Sequence, residues 1–188
     1  SNPLFCFNSL GSYQDPTFIQ DPAGTGPYAV QLTYPQASQA ASMWFSVPQN
    51  VASGFNLWFQ FKMTPSSSSY ATADGIAFVI QNALNGGTDA ASACSGAGQG
   101  PTAIGGGGGC MGYGGIPNSV ALEFDTYDND YDPTDIPGSY SDNHVALQSC
   151  GLNQGTPNAN SPAHIGTGNC LLSLGGPNSS TVSTLVQN

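Results

Sequence analysis

The segment from residue 119 to residue 144 carries the side chains whose types and spacing are best suited to chemistry. Most of the chain's 11 acidic residues lie within it, and Glu123 is the only glutamate. Its first part alternates with a period of two, which places Glu123, Asp125 and Tyr127 on one face of a predicted strand. The opposite face is apolar and consists of Val120, Leu122 and Phe124. The strand therefore presents two carboxylates and one aromatic ring side by side.

The negative charge of this segment predicts a bound cation. A turn-rich loop with Asp130, Asp132 and Asp135 follows the strand, and His144 comes next, whereas Lys and Arg together occur once in the whole chain. Oxygen ligands of this kind suit a hard divalent cation, and the histidine suits a softer second metal. The simplest alternative is a solvated acidic loop, but carboxylates on an ordered strand cannot spread into water. An EF-hand is disfavoured because its mid-loop glycine, terminal glutamate and flanking helices are missing from the pattern.

The elements that must position these side chains are predicted to be strands, because apolar residues recur every two positions and no helical period is found. The predicted strands cover residues 4–7, 28–34, 43–47, 55–62, 71–81, 144–149, 171–174 and 181–186. The side chains expected to face inward from 55–62 are Phe55, Leu57, Phe59 and Phe61, with Trp58 on the polar face. The continuous apolar run at 76–80 predicts a central strand covered on both sides. Many short strands separated by turn signals predict an all-β fold, an antiparallel β-sandwich.

Residues 83–117 form a long glycine-rich passage that has two interpretations. Tracts of this composition are commonly flexible linkers. Here the tract contains Cys94 and Cys110 and lies between two strong strand patterns. This setting favours a closed loop that lays backbone amides against a ligand.

Length and composition narrow the class of protein. A chain of 188 residues is one domain by length, and 39% hydrophobic residues argue against disorder. Only 6% of residues are charged and the net charge is -10, which argues against nucleic acid and anionic membranes as partners. No apolar run reaches the ~20 residues of a membrane helix, so membrane insertion is not expected. Because the numbering starts at Ser1 and not at a methionine, we expect that a signal peptide has been removed.

The five cysteines lack the CxxC spacing of zinc or redox sites, which indicates disulfides in an oxidising compartment. Pairing of sequence neighbours predicts the bridges Cys94–Cys110 and Cys150–Cys170. Cys6 is then left over. Asn178 begins a glycosylation sequon, which also fits a secreted protein.

Three segments resemble the legume-type (L-type) lectins in the order in which that family has them. The sequence EFDTYDN at 123–129, followed by a DP pair and then NHV, is similar to the family's metal-binding segment. Ala73-Asp74-Gly75 ahead of an apolar strand and the glycine-rich loop before Met111-Gly112 match two further motifs. The resemblance covers roughly residues 3 to 175. It implies a single L-type lectin-like domain over 1–188 with the concanavalin-like jelly-roll form of the β-sandwich.

The resemblance also implies a sugar-binding set made of Asp74, Gly109, Tyr127 and Asn129. The peptide bond before Asp74 is expected to be cis. Gly109, with Gly108 as the alternative register, would offer its backbone N–H to a sugar hydroxyl, where a larger residue would hold the ligand away. The amide of Asn129 would donate to the sugar, and the ring of Tyr127 would lie against its apolar face.

Two metal sites follow from the same resemblance. The implied calcium ligands are Asp125, Asn129, Asp132 and the carbonyl of Tyr127. The implied ligands of a second, transition metal such as Mn²⁺ are Glu123, Asp125, Asp132 and His144. The gap between Asp132 and His144 is longer than the family usually has, which brings Asp135 and Asp142 into contention. Calcium would hold the sugar-binding loops in one geometry, so that a small ligand need not supply the energy to order them.

The function expected is a secreted or cell-surface, calcium-dependent lectin module without catalytic activity. Its expected partners are glycans or glycoproteins, and a homo-oligomer or a larger extracellular assembly is compatible with the sequence. An extracellular structural or adhesive module that no longer binds sugar is the main alternative. A glycoside hydrolase is disfavoured, because an ExDxE strand would need a glutamate at position 127, where this chain has tyrosine.

The C-terminal residues 176–188 end in an apolar strand pattern, and the family's sandwich continues beyond this point. An unpaired apolar edge would invite aggregation. We therefore expect the sequence to be a segment of a longer protein, with the sandwich incomplete at its C-terminus. Cys6 would then be bridged to a cysteine in that further part or in another chain.

Overall fold

The structure, a computed structural model, describes part of the chain. It describes residues 4–10, 14–20, 28–37, 39–64, 72–82, 100–114, 116, 119–127 and 144–149, and the backbone of 171–175. All regular elements in these ranges are antiparallel strands or single 3₁₀ turns, with no α-helix among them. The predicted all-β class is therefore confirmed for this part of the chain. No helix in the described ranges is long and apolar enough to cross a membrane.

Eight strands and two 3₁₀ turns make up the described architecture. The strands are β1 (Phe5–Ser9), β2 (Thr17–Ile19), β3 (Ala29–Gln31), β4 (Ala41–Phe45), β5 (Gly75–Gln81), β6 (Ser119–Asp125), β7 (His144–Gln148) and β8 (Leu171–Gly175). The 3₁₀ turns are Gly100–Thr102 and Gly108–Cys110. Strands β1 and β4 form one antiparallel pair, β2 and β3 form another, and the last four strands form a sheet in the order β5-β6-β7-β8.

The register of the four-stranded sheet brings the chemically interesting residues to one end. Gly75 at the start of β5 lies opposite Asp125 at the end of β6. Asp125 in turn lies opposite His144 at the start of β7. Gly75, Asp125 and His144, which are far apart in the sequence, therefore lie in one row across the sheet.

The carboxylate-bearing face of β6 is the more deeply buried of its two faces. Alternate residues of the strand are buried, with Glu123 and Asp125 fully so, whereas the apolar face is half-buried. That apolar face is covered by aromatic rings, since Phe61 lies 5.0 Å from Phe124 and Phe59 lies 6.2 Å from it between ring centroids. The period of two is thus confirmed, and both faces of the strand are in contact with protein.

Two strand predictions need correction. Residues 55–62 form no strand in the part of the chain that the structure describes, and Phe55 and Leu57 are exposed instead of inward. Phe59 and Phe61, in contrast, face Phe124 of the sheet, Phe59 with 46% exposure. Trp58, expected on the polar face, is 94% exposed. The run at 76–80 is a strand, but within the described sheet β5 is an edge strand and its residues are only half-buried. Apolar alternation reports which side chains can be buried, but strand pairing depends on distant partners that the local pattern does not contain.

The glycine-rich segment is folded between residues 100 and 114, which excludes the linker interpretation there. The Asn8 amide donates to the carbonyl of Pro101 at 3.0 Å. The Ser42 hydroxyl and the Trp44 indole N–H donate to the carbonyl of Ala103 at 2.8 and 2.7 Å. The β1–β4 pair therefore holds this segment by side-chain hydrogen bonds. The buried cluster around it comprises Ala103, Cys110, Tyr113, Ile116 and Ala121.

The cysteines differ from the predicted pairing. Cys6 is disulfide-bonded, whereas Cys110 is a buried thiol. The expectation that Cys6 is left over, and that Cys110 is bridged to Cys94, is therefore wrong. Pairing by sequence proximity fails because a bridge forms wherever the fold brings two sulfur atoms together. Cys94 and the predicted Cys150–Cys170 bridge lie outside the described residues.

Candidate functional site

Three segments converge at the end of the four-stranded sheet. A side chain at Gly75 would collide with the carbonyl oxygen of Phe124 and the sulfur of Met111, and would lie 3.2 Å from the Cα of Asp125. Only glycine allows so close an approach. The Asp74-Gly75 pair, the glycine-rich turn and the acidic strand are therefore in direct contact.

Asp74 is fixed to the end of β6 through its backbone. Its carbonyl oxygen accepts a hydrogen bond from the N–H of Thr126 and another from the Thr126 hydroxyl, both at 2.9 Å. The same hydroxyl lies 3.1 Å from the carbonyl of Thr72. The Ala73–Asp74 peptide bond is cis, as the resemblance implies. Position 74 is thus held against the strand that carries the predicted metal ligands.

Tyr127 combines a buried backbone contact with an accessible ring. Its N–H donates to the Oδ1 atom of Asp125 at 2.8 Å, which closes a short turn after β6. Its side chain is 43% exposed. An aromatic ring is therefore presented to solvent beside a fully buried carboxylate.

The buried face of β6 and β7 carries a polar cluster around Glu123. The hydroxyl of Tyr113 donates to Oε2 of Glu123. The amide of Gln148 donates to Oε1 at 2.5 Å, and Nε2 of His144 lies 3.5 Å from the same oxygen. All four side chains are at most 1% exposed.

The charges in this cluster fit a divalent cation. Buried carboxylates stay ionised only when they are paired or bound to a metal. The chain's only lysine or arginine, Lys62, is exposed. Within the described residues, positive charge beside Glu123 and Asp125 could come from His144 or from a bound ion. Carboxylate oxygens are ligands that calcium accepts, and carboxylate oxygens with one imidazole nitrogen are a donor set for a first-row transition metal.

The predicted metal ligands are brought together in part. Glu123, Asp125 and His144 lie on one face of the sheet, in adjacent rows of β6 and β7. Within the described ranges, no three His, Cys, Asp or Glu side chains are close enough to form a metal-binding group. The remaining predicted residues, Asn129 and Asp132 with the alternatives Asp135 and Asp142, lie outside these ranges, as does the sequon at Asn178.

The predicted Gly109 lies in a compact turn. Gly108 has a φ of +62°, and the N–H of Met111 donates to its carbonyl at 2.8 Å. Hydrogen bonds of 2.7 Å from Gly105 to Gly112 and of 2.8 Å from Gly112 to Gly106 close the loop around this turn. A left-handed φ is a conformation that side chains disfavour, which explains glycine at position 108.

Two residues of the cluster, Tyr113 and Gln148, were missed by sequence reasoning. Gln148 lies on the same face of β7 as His144, four positions later, so the period of two contained a signal for it. Tyr113 comes from the glycine-rich turn and had no such signal.

Comparison of the chain with models of known protein families finds no match. The resemblance to the L-type lectins therefore stays a prediction that depends on the motifs themselves.

Proposed function

We propose that this protein is a calcium-dependent carbohydrate-binding module related to the L-type lectins. The observation that carries the proposal is the pair of hydrogen bonds from Thr126 to the carbonyl of Asp74. They tie the loop of the expected sugar-binding aspartate to the strand of the expected metal ligands. A metal bound at that strand would thus fix the position of Asp74 through a single residue.

The resemblance implies which residues would hold the two expected ions. Calcium would be held by the side chains of Asp125, Asn129 and Asp132 and by the carbonyl of Tyr127. A second, transition metal such as Mn²⁺ would be held by Glu123, Asp125, Asp132 and His144. The ions would supply positive charge to a buried acidic cluster and order the loops after β6.

The sugar would be bound reversibly by few, rigid groups. Asp74 would accept hydrogen bonds from sugar hydroxyls, and the backbone N–H of Gly109 and the amide of Asn129 would donate to them. The exposed ring of Tyr127 would cover the apolar face of the sugar. Few convergent polar groups beside an aromatic surface are typical of small-molecule sites.

The proposed function also implies a particular form of the β fold. The antiparallel sheet of β5 to β8 would be one layer of a concanavalin-like jelly-roll sandwich in a single domain. The disulfide at Cys6 supports an oxidising, secreted or cell-surface location. Glycans or glycoproteins would be the partners.

One observation favours a second candidate, an extracellular structural or adhesive module without sugar binding. Both carboxylate oxygens of Glu123 already accept hydrogen bonds from Tyr113 and Gln148, so the cluster has internal polar partners even without an ion. The burial of Glu123 also supports a protein without hydrolytic activity, because a nucleophile or acid must reach its substrate.

A glycan array probed with the intact protein, in calcium and then in chelator, tests the proposal. We expect a restricted set of glycans to be bound in calcium only. Folded protein that binds no glycan in calcium would favour the structural module. Release of reducing sugar from a polysaccharide would favour a hydrolase.

A further inference from the structure

Tyr113 and Gln148 are buried polar residues that both act on one carboxylate. Each is 1% exposed, and each donates a hydrogen bond to a different oxygen of Glu123. They come from separate parts of the chain, the glycine-rich turn and strand β7. The carboxylate of Glu123 therefore accepts hydrogen bonds from two different parts of the fold.

The strand register explains how Gln148 reaches Glu123. Gln148 lies opposite Ala121, which is two residues before Glu123 on the same face of β6. Ala121 is fully buried and small, so it leaves room for the longer side chain. A register irregularity between Leu147 and Gln148 on the β8 side marks this position in β7.

Hydrogen-bond donors on both oxygens favour the ionised form of a carboxylate and fix its plane. Nε2 of His144 lies 3.5 Å from Oε1 of Glu123, a separation at which two atoms can contact one metal ion. Residues that orient metal ligands by hydrogen bonds commonly set the affinity of the site.

The Oε1 atom of Gln148 is a second polar atom of this side chain in the buried cluster around Glu123. This oxygen atom has no hydrogen-bond partner among the described residues. Buried acceptors are usually satisfied. This oxygen is therefore suited to accept a hydrogen bond from a donor brought by an ion, such as a metal-bound water.

We propose that Tyr113 and Gln148 are positioning residues that orient Glu123 toward His144 and so set the affinity of this face of the sheet for a divalent transition metal. The inference rests on the proposed metal-dependent function. It concerns the second metal alone, because Glu123 is not among the expected calcium ligands.

The test is a titration of metal-stripped, intact protein with Co²⁺, followed by its visible absorption, and in parallel with Ca²⁺. Removal of one hydroxyl in Tyr113→Phe should lower the affinity for Co²⁺ by about 10–100-fold and change the absorption band of bound Co²⁺. The affinity for calcium should be little altered. Gln148→Leu should act in the same direction. Tyr34→Phe is the matched control, since it also loses one hydroxyl contact, to Thr17 at 3.0 Å, away from the cluster.

The outcomes separate this inference from the proposed function. Wild-type protein that binds calcium and glycan but no Co²⁺ would overturn the inference and leave the function standing. Unchanged Co²⁺ affinity in Tyr113→Phe would overturn it as well, and Gln148→Leu decides the matter if Tyr113→Phe does not fold. Protein that binds neither metal nor glycan would contradict the proposed function itself.

Discussion

The backbone carbonyl of Asp74 accepts two hydrogen bonds from Thr126, one from the N–H and one from the hydroxyl, both at 2.9 Å. Thr126 follows Asp125 directly and is buried. Any ion held by Asp125 would therefore stabilise the position of Asp74 across a single peptide unit. This contact couples the two halves of the proposed site.

Thr126→Val should weaken glycan binding and leave the calcium response intact. The substitution keeps the shape of the side chain and removes its hydroxyl, whose net contribution to stability is about 0.5–1.5 kcal/mol. If that energy orders the Asp74 loop, glycan affinity should fall by up to about tenfold. Binding assays and melting curves for this variant should be compared with those for Thr17→Val, which loses a hydroxyl contact to Tyr34. Equal effects on glycan binding in both variants would refute the coupling.

Gly75→Ala should destabilise the fold. The added Cβ would collide with the backbone oxygen of Phe124 and with Met111, and overpacking of this kind costs roughly 1–3 kcal/mol. Gly107→Ala is the control, because its Cβ would meet only Ala40 at 3.6 Å and Leu10 at 3.8 Å, and its φ is -86°. Chemical denaturation should show a lower free energy of unfolding for Gly75→Ala alone. Equal stability of the two variants would show that the segments can move apart.

Calcium removal should lower the melting temperature. A ligand that binds only the native state, at a concentration 100 times its dissociation constant, adds ~2.7 kcal/mol to the free energy of unfolding. Asp125→Asn should abolish this response, because it removes the charge of a central ligand at nearly constant volume. Asp15→Asn is the control, since this exposed carboxylate accepts one hydrogen bond from Ser9 at 2.6 Å. A melting curve insensitive to chelation, with no metal in elemental analysis, would mean that the acidic cluster binds no ion.

The sequence predicted the local features of the site better than its long-range contacts. The alternation of 119–125 identified β6 and the shared face of Glu123 and Asp125, because side-chain direction in a strand is a local property. The position of Tyr113 could not be predicted, since it depends on how the glycine-rich turn folds back onto the sheet. The segment 55–62 was wrongly predicted as a strand for a similar reason, because its hydrogen-bond partners are not encoded in its own alternation.

The most direct test of the central claim is the affinity of the native protein for its best array glycan, measured in saturating calcium, after chelation, and after calcium is restored. The proposed site predicts that glycan affinity falls at least tenfold on chelation and recovers fully when calcium is restored. Because coupling between two ligands is reciprocal, bound glycan should raise the affinity for calcium by the same factor. Glycan binding of unchanged strength in protein shown to be metal-free would contradict it.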